Sequence, residues 1–129
     1  MALGAGTGPD TVAPLTARGF GISMLTEKQH YVAKIFASAL SMETKFLNTQ
    51  TEYGTNNCIY IKHSLANIEC SKETQLTVGD HLVIYCNVNH GMIFNETPLG
   101  YFRRNYTTIS PQKSDTLSTT QNEGIIYEA

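Results

Sequence analysis

The sequence predicts one mainly β domain with one helix, its strands joined as an antiparallel meander of the kind that closes as part of a barrel. Three observations carry this. Short apolar runs rich in β-branched residues, His81 to Val88 above all, are separated by turn signals such as Val78-Gly79-Asp80 and Asn89-His90-Gly91. Only one stretch, Val32 to Leu40, keeps helical spacing. The 129 residues are 41% hydrophobic, enough apolar material for one compact core.

Along the chain, residues 1 to 18 are rich in Gly, Thr, Pro and Ala without a hydrophobic period and read as a flexible leader. Gly4-Ala5-Gly6-Thr7-Gly8 has no strand before it, so a phosphate loop is not expected there. Phe20, Ile22 and Met24 alternate with small or polar residues, which predicts a strand from Gly19 to Leu25. Thr26 and Gln29 then form a capping box. Val32, Ile35, Phe36, Ala39 and Leu40 follow on one helical face of about three turns.

From Ser41 to Ser64 the pattern blurs into a long loop with one short strand at Cys58 to Ile61. Leu65 to Lys72 alternates again, with Ala66, Ile68 and Cys70 on one face and Asn67, Glu69 and Ser71 on the other. His81 to Val88 is too apolar for an exposed sheet edge and is expected at the centre of the sheet. Leu99 to Arg104 is expected as a strand, with Arg103 and Arg104 on opposite faces. From Ser110 the chain is rich in Ser, Thr, Gln and Asn and reads as a mostly flexible tail. The expected organisation is therefore a leader 1–18, a domain 19–109 and a tail 110–129.

Composition removes several function classes. A net charge of -2 offers no basic field for nucleic acid or an anionic membrane. No run reaches membrane-spanning length and the start lacks the features of a secretory signal, so a soluble, cytoplasmic protein is expected. Cys58, Cys70 and Cys86 are odd in number and contain no C-x-x-C pair, which suits free thiols in a reducing compartment. The four histidines fall at no zinc spacing, so no metal site is expected. No catalytic triad or paired-carboxylate site can be assembled from spacing alone.

Three ordered segments extend this reading. Gly19-Phe20-Gly21-Ile22-Ser23-Met24-Leu25-Thr26-Glu27-Lys28-Gln29 leads into Val32-Ala33-Lys34-Ile35-Phe36-Ala37. Ser64-Leu65-Ala66-Asn67-Ile68-Glu69-Cys70 is followed by Gly79-Asp80-His81, and Pro98-Leu99-Gly100-Tyr101-Phe102-Arg103-Arg104-Asn105-Tyr106 comes last. Together they resemble the F-x-V-N-V-L-x-x-x-Q, A-L-A-x-L-E-C, G-D-H and P-L-x-Y-x-R-x-x-Y signatures of flavin reductase-like domains. Gly79 to Tyr85 also resembles the G-D-H-x-x-x-Y of the C-terminal domain of flavodiiron proteins, a branch of the same family. The resemblance covers residues 19 to 109 and implies an antiparallel Greek-key split β-barrel, the FMN-binding split barrel, without the family's N-terminal strands.

The resemblance implies an NAD(P)H-dependent flavin oxidoreductase that binds FMN or FAD at a homodimer interface. Reduced flavin would pass to a flavin-dependent monooxygenase. His81 would lie near the flavin and the nicotinamide as the catalytic residue, although a turn histidine satisfied by Asp80 is the plainer reading. Ser23, Met24 and Leu25 would border the flavin ring, with Ser23 standing where the family usually has Asn. Arg103 and Tyr106 would complete the cofactor contacts. The segment that contacts the FMN phosphate in the family has no counterpart here, so flavin affinity is expected to rest on Ser23 to Leu25 and Arg103. The alternative is a redox-inactive half-barrel that binds another ligand or a protein partner.

Overall fold

The computed structural model describes residues 19–55 and 57–112. The expected leader, its glycine-rich stretch and nearly all of the expected tail lie outside the described residues. The first strand, β1 (Gly19–Met24), runs into a single 3-10 turn at Glu27–Gln29 and then α1 (His30–Ala37). The capping box forms: the Thr26 N–H donates to Gln29 Oε1 at 3.0 Å. The Gln29 amide also reaches Lys62 O at 2.7 Å, which ties the start of the helix to a distant loop. Along α1 only Val32 is fully buried.

The stretch expected to be mostly loop holds more structure than its pattern shows. A short helix, α2 (Met42–Leu47), is capped by Ser41, whose Oγ accepts the Thr44 N–H at 3.2 Å. It docks on α1 through an edge-to-face Phe36–Phe46 pair with ring centroids 5.4 Å apart. A hairpin comes next, β2 (Thr51–Tyr53) with β3 (Ile59–Ile61). Six-residue helices and three-residue strands are too short to display a period.

Two long strands dominate the molecule, β4 (Ala66–Val78) and β5 (His81–Ile93), in a sheet of order β1-β4-β5. All pairs are antiparallel, and Ser23 faces Asn67 across β1 and β4. A last hairpin, β6 (Leu99–Phe102) with β7 (Asn105–Thr108), completes the described residues. It is fastened beside β1 by Leu99 N–H donating to Leu25 O at 3.0 Å and Glu27 N–H donating to Thr97 O at 2.9 Å. No helix among the described residues is long and apolar enough to cross a membrane.

Three local expectations are corrected. β5 is an edge strand and β4 is central, because β1 and β5 pair with opposite sides of β4. The apolar run therefore stands half in solvent, with Val83, Tyr85 and Val88 exposed. Asn89-His90-Gly91 is not a turn: the strand continues through it to Ile93, with a register shift opposite Glu69/Cys70 absorbing the irregularity. Arg103 and Arg104 do not alternate on a strand but form the two-residue turn between β6 and β7, with φ of 49° and 65°. Two consecutive positive φ values match the twist of a tight hairpin. Arg103 lies over the Phe102 ring, 5.2 Å from its centroid.

The buried set is more polar than apolar. Val32, Tyr60, Ala66 and Cys70 are joined by Thr26, Gln29, Lys45, Thr49, Ser64, Asn67 and Glu69. The polar face of β4 is thus not a solvent face, since Asn67 and Glu69 are each 1% exposed. It is covered by the β2–β3 hairpin, and buried polar groups of this kind persist only where they are hydrogen-bonded.

Candidate functional site

Two clefts open on the surface of the described residues. One, of about 460 Å³, lies between α1 and the β6–β7 hairpin and includes Glu27, His30, Lys34, Arg104 and Tyr106. The other, of about 490 Å³, includes Lys62, His63, Asn67, Phe94 and Glu96. Both fall in the size range of small-molecule sites, although their linings are more polar than most. Lys28 bridges to Glu96 at 3.7 Å near the second cleft.

Ser23 is held from two sides. Its hydroxyl donates to Asn67 Oδ1 at 2.8 Å and accepts the Ile61 N–H at 2.9 Å, joining β1 to β4 and β3. The carbonyls of Met24 and Leu25 are also occupied, by the N–H groups of Leu65 at 2.7 Å and Leu99 at 3.0 Å. What this segment offers outward is the exposed Met24 side chain.

Behind it lies a buried carboxylate. Glu69 accepts the Thr55 N–H and the Thr55 hydroxyl, each at 2.7 Å, and so pins the tip of the β2–β3 hairpin to the central strand. Tyr60 lies beside it, 2% exposed. Its hydroxyl finds no partner at hydrogen-bond geometry, yet the two groups are close enough for Glu69 to influence its proton. Burial first, then the hydrogen-bonding and negative charge of Glu69, push the Tyr60 phenol up to about 12 from an ordinary 10.0. Burial also raises Cys58, Cys70 and Cys86, with Glu69 adding to the effect on Cys58. All three are free thiols, and the upward shift disfavours their thiolate forms.

The Tyr60 shift fixes the sign of an alkaline effect. The unfolded chain releases this proton near pH 10 and the folded one only near 12. The stabilisation is therefore complete below about pH 10 and is lost as pH rises through about 12. Tyr60→Phe is expected to flatten that loss, since it removes the group that titrates. Urea midpoints at pH 7 and from pH 9 to 12 check this; identical alkaline slopes in the two proteins would assign the loss elsewhere.

The expected site residues divide into two groups. Ser23, Met24 and Leu25 end β1, and Leu25 is tied through Leu99 to the β6–β7 hairpin that carries Tyr106. Arg104, not Arg103, shares the first cleft with Tyr106, because the hairpin turn separates the two arginines. His81 stands apart at the tip of the β4–β5 ribbon, its Nδ1 2.5 Å from Asp80 Oδ1. Along β4, Val78, which pairs with His81, is eleven residues from Asn67, which pairs with Ser23. At about 3.3 Å per residue that is roughly 36 Å of strand. His30 and Lys34 line the first cleft and Asn67 the second, and none of the three is a candidate site residue by sequence. The i, i+4 spacing of His30 and Lys34 was the one available signal.

Several known proteins resemble this chain. A protein assigned as a flavin reductase from Haemophilus somnus 129pt superposes with a TM-score of 0.75 at 25% identity, covering 79% of this chain and 66% of the other. The Streptomyces globisporus C-1027 NADH:FAD oxidoreductase SgcE6, solved with NAD and FAD fragments, gives a TM-score of 0.77 at 18% identity over 84% of this chain and 67% of that one. The antiparallel split barrel of the flavin reductases is accordingly the fold of this chain. A protein described as diflavin flavoprotein A 5 from Nostoc sp. strain PCC 7120 is 32% identical over 76 residues. That match covers 57% of this chain, which spans only 13% of the relative. The model of the Flavin reductase like domain matches residues 9–110, and with the fold and the ordered motifs beneath it, the chain belongs to the flavin reductase-like domain family.

Proposed function

We propose that this domain binds a flavin and takes part in its reduction by a nicotinamide nucleotide, as an NAD(P)H-linked flavin reductase. The observation that carries this reading is the β1–α1 junction, where Met24 is exposed and the start of the helical segment and the β6–β7 hairpin line a cleft of about 460 Å³. The residues fit the group in kind: an exposed apolar side chain at Met24 for a ring, and Tyr106 with the cations Lys34 and Arg104 along the first cleft. When bound, the flavin supplies the hydride acceptor. The chain supplies orientation, through a junction whose backbone is fixed by the bonds of Met24 O and Leu25 O, and a surface that holds two rings at reacting distance.

In this reading His81 acts on a flavin bound to a second copy, because its own ribbon carries it far from its own Ser23. A homodimer is therefore part of the proposal. The unpaired outer edge of β5 among the described residues, with Val83, Tyr85, Val88 and Ile93 exposed along it, supports a partner at that edge. Three free thiols suit the cytoplasm, and a flavin-dependent monooxygenase is the proposed acceptor of reduced flavin.

Visible-spectrum titration with FMN and FAD, followed by NADH and NADPH oxidation, tests the function. Perturbed flavin bands and flavin-dependent oxidation are expected, with the rate reduced in His81→Ala at unchanged melting temperature. Sedimentation of the same samples should give a dimer. Unperturbed flavin spectra would leave the redox-inactive, ligand-binding half-barrel as the reading, and equal rates in His81→Ala would return that residue to its turn.

A further inference from the structure

Asn67 lines the second cleft although it is only 1% exposed. The Ser23 hydroxyl accepts the Ile61 N–H at 2.9 Å and donates to Asn67 Oδ1 at 2.8 Å, so the oxygen end of the carboxamide faces Ser23. The Nδ2 end makes no hydrogen bond to any described residue and is not sealed off, so its donors open on the cleft. A buried donor of this kind requires an acceptor.

The chain around it is braced. Gln29 Nε2 donates to Lys62 O at 2.7 Å and Ser64 Oγ to Ile61 O at 2.9 Å, which holds the loop that carries Lys62 and His63, the latter at φ 62°. Beyond β5, Phe94 N–H donates to Leu65 O at 2.8 Å and Glu96 N–H to Phe94 O at 2.9 Å. Groups carried on fixed backbone lose little freedom when a ligand enters.

The lining carries both signs of charge. Lys62 and Glu52 are engaged in no ion pair among the described residues, where the pairs are Lys28–Glu96 and His81–Asp80. A purely anionic ligand would be repelled by Glu52 and Glu96, and a purely cationic one would leave the Asn67 donors unanswered beside Lys62. A small zwitterion satisfies both sets at once, its carboxylate taking the Asn67 and Lys62 donors and its ammonium the two glutamates. Phe94 adds an exposed apolar surface to the same lining, and about 490 Å³ is ample for a molecule of that size.

We propose that the second cleft binds a free α-amino acid with an apolar side chain: Asn67 Nδ2 and Lys62 hold the carboxylate, Glu52 and Glu96 the ammonium, and Phe94 the side chain. Neither flavin nor nicotinamide enters this assignment, which stands or falls apart from the proposed reductase activity.

Calorimetric titration of the full chain with leucine, leucinamide and isocaproate tests it, the last two each lacking one of the charges of leucine. Wild type should bind leucine in the millimolar range or below, and about tenfold or more tightly than either analogue, as expected for loss of a charge-assisted hydrogen bond. Lys62→Gln should narrow the preference over leucinamide and keep that over isocaproate; Glu52→Gln should do the reverse. Leucine should also shift the side-chain amide resonances of Asn67 in a nitrogen–proton correlation spectrum of the wild type. Asn67→Asp still accepts from Ser23 but offers no donor and should lose leucine binding; where that variant does not fold, the two surface variants and the amide shift decide. Absent leucine binding, isocaproate binding as tightly as leucine, unchanged preferences in both folded surface variants, or displacement of leucine by FMN or NADH in direct competition would each overturn the proposal.

Discussion

Gly54→Ala is expected to destabilise the fold by roughly 3 kcal/mol, lowering the melting temperature by about 10 °C or more. A β-carbon at Gly54 would stand 2.2 Å from Glu69 Oε1 and 2.6 Å from the Tyr60 ring. Neither neighbour can withdraw cheaply. Glu69 is 1% exposed and holds Thr55 by two bonds, and Tyr60 is equally enclosed. Glu69→Ala should cost about 1 to 3 kcal/mol, because it empties a buried position and unties the hairpin tip from β4, although the exposed Thr55 can turn its donors to water. The two changes are coupled, since removing the carboxylate also removes the nearest clash. Gly54→Ala/Glu69→Ala should therefore cost clearly less than the two single losses combined. Denaturant melts of the four proteins decide it, and simple additivity would show that the hairpin tip is not held as described.

Ser23→Ala is expected to cost about 2 to 3 kcal/mol, a large effect for one hydroxyl. Two groups lose their partner together, Ile61 N–H and Asn67 Oδ1, and Asn67 is 1% exposed. Ser23→Thr keeps the hydroxyl and should recover much of the loss. The same comparison separates fold from function at the position where the family resemblance puts a flavin contact. Flavin affinity per folded molecule should change less than stability does, because the hydroxyl is already committed within the protein. A melting temperature within a degree of wild type would show that water replaces the hydroxyl at no cost, and the link between the three strands would have to lie elsewhere.

The parts of the fold legible in the sequence are those with local causes. β1 alternates, Thr26 and Gln29 cap the entry to α1, and Gly79-Asp80 turns β4 into β5 with Gly79 at φ 61°, whereas α1 keeps its period only as far as Ala37, so that Ala39 and Leu40, expected on its inner face, lie exposed beyond its end. These depend on residues within a turn or two of one another, and the resemblance to flavin reductase-like domains was carried by the same segments. α2 and the β2–β3 hairpin were not legible, because each is shorter than one cycle of the signal that would reveal it. Of the candidate site, the sequence shows the run Ser23 to Leu25 that ends β1, but not that Arg104 rather than Arg103 lines the first cleft with Tyr106, since a pair of arginines in sequence gives no sign that both adopt positive φ.

By itself the sequence determined a mainly β chain with a capped helix after its first strand, and the order of motifs that marks its family. Only the tertiary structure decided which faces are inside. Asn67 and Glu69 read as the polar side of a half-exposed strand, yet each is almost wholly buried because the β2–β3 hairpin folds across them and brings Thr55, Ile61 and Ser23 as partners. Val83 and Tyr85 read as core, yet stand exposed because β1 and β5 take the two sides of β4. Alternation specifies that a strand has two unlike faces; what covers each face is fixed by residues tens of positions away, and burial depends on whether a polar group finds its hydrogen-bond partner there.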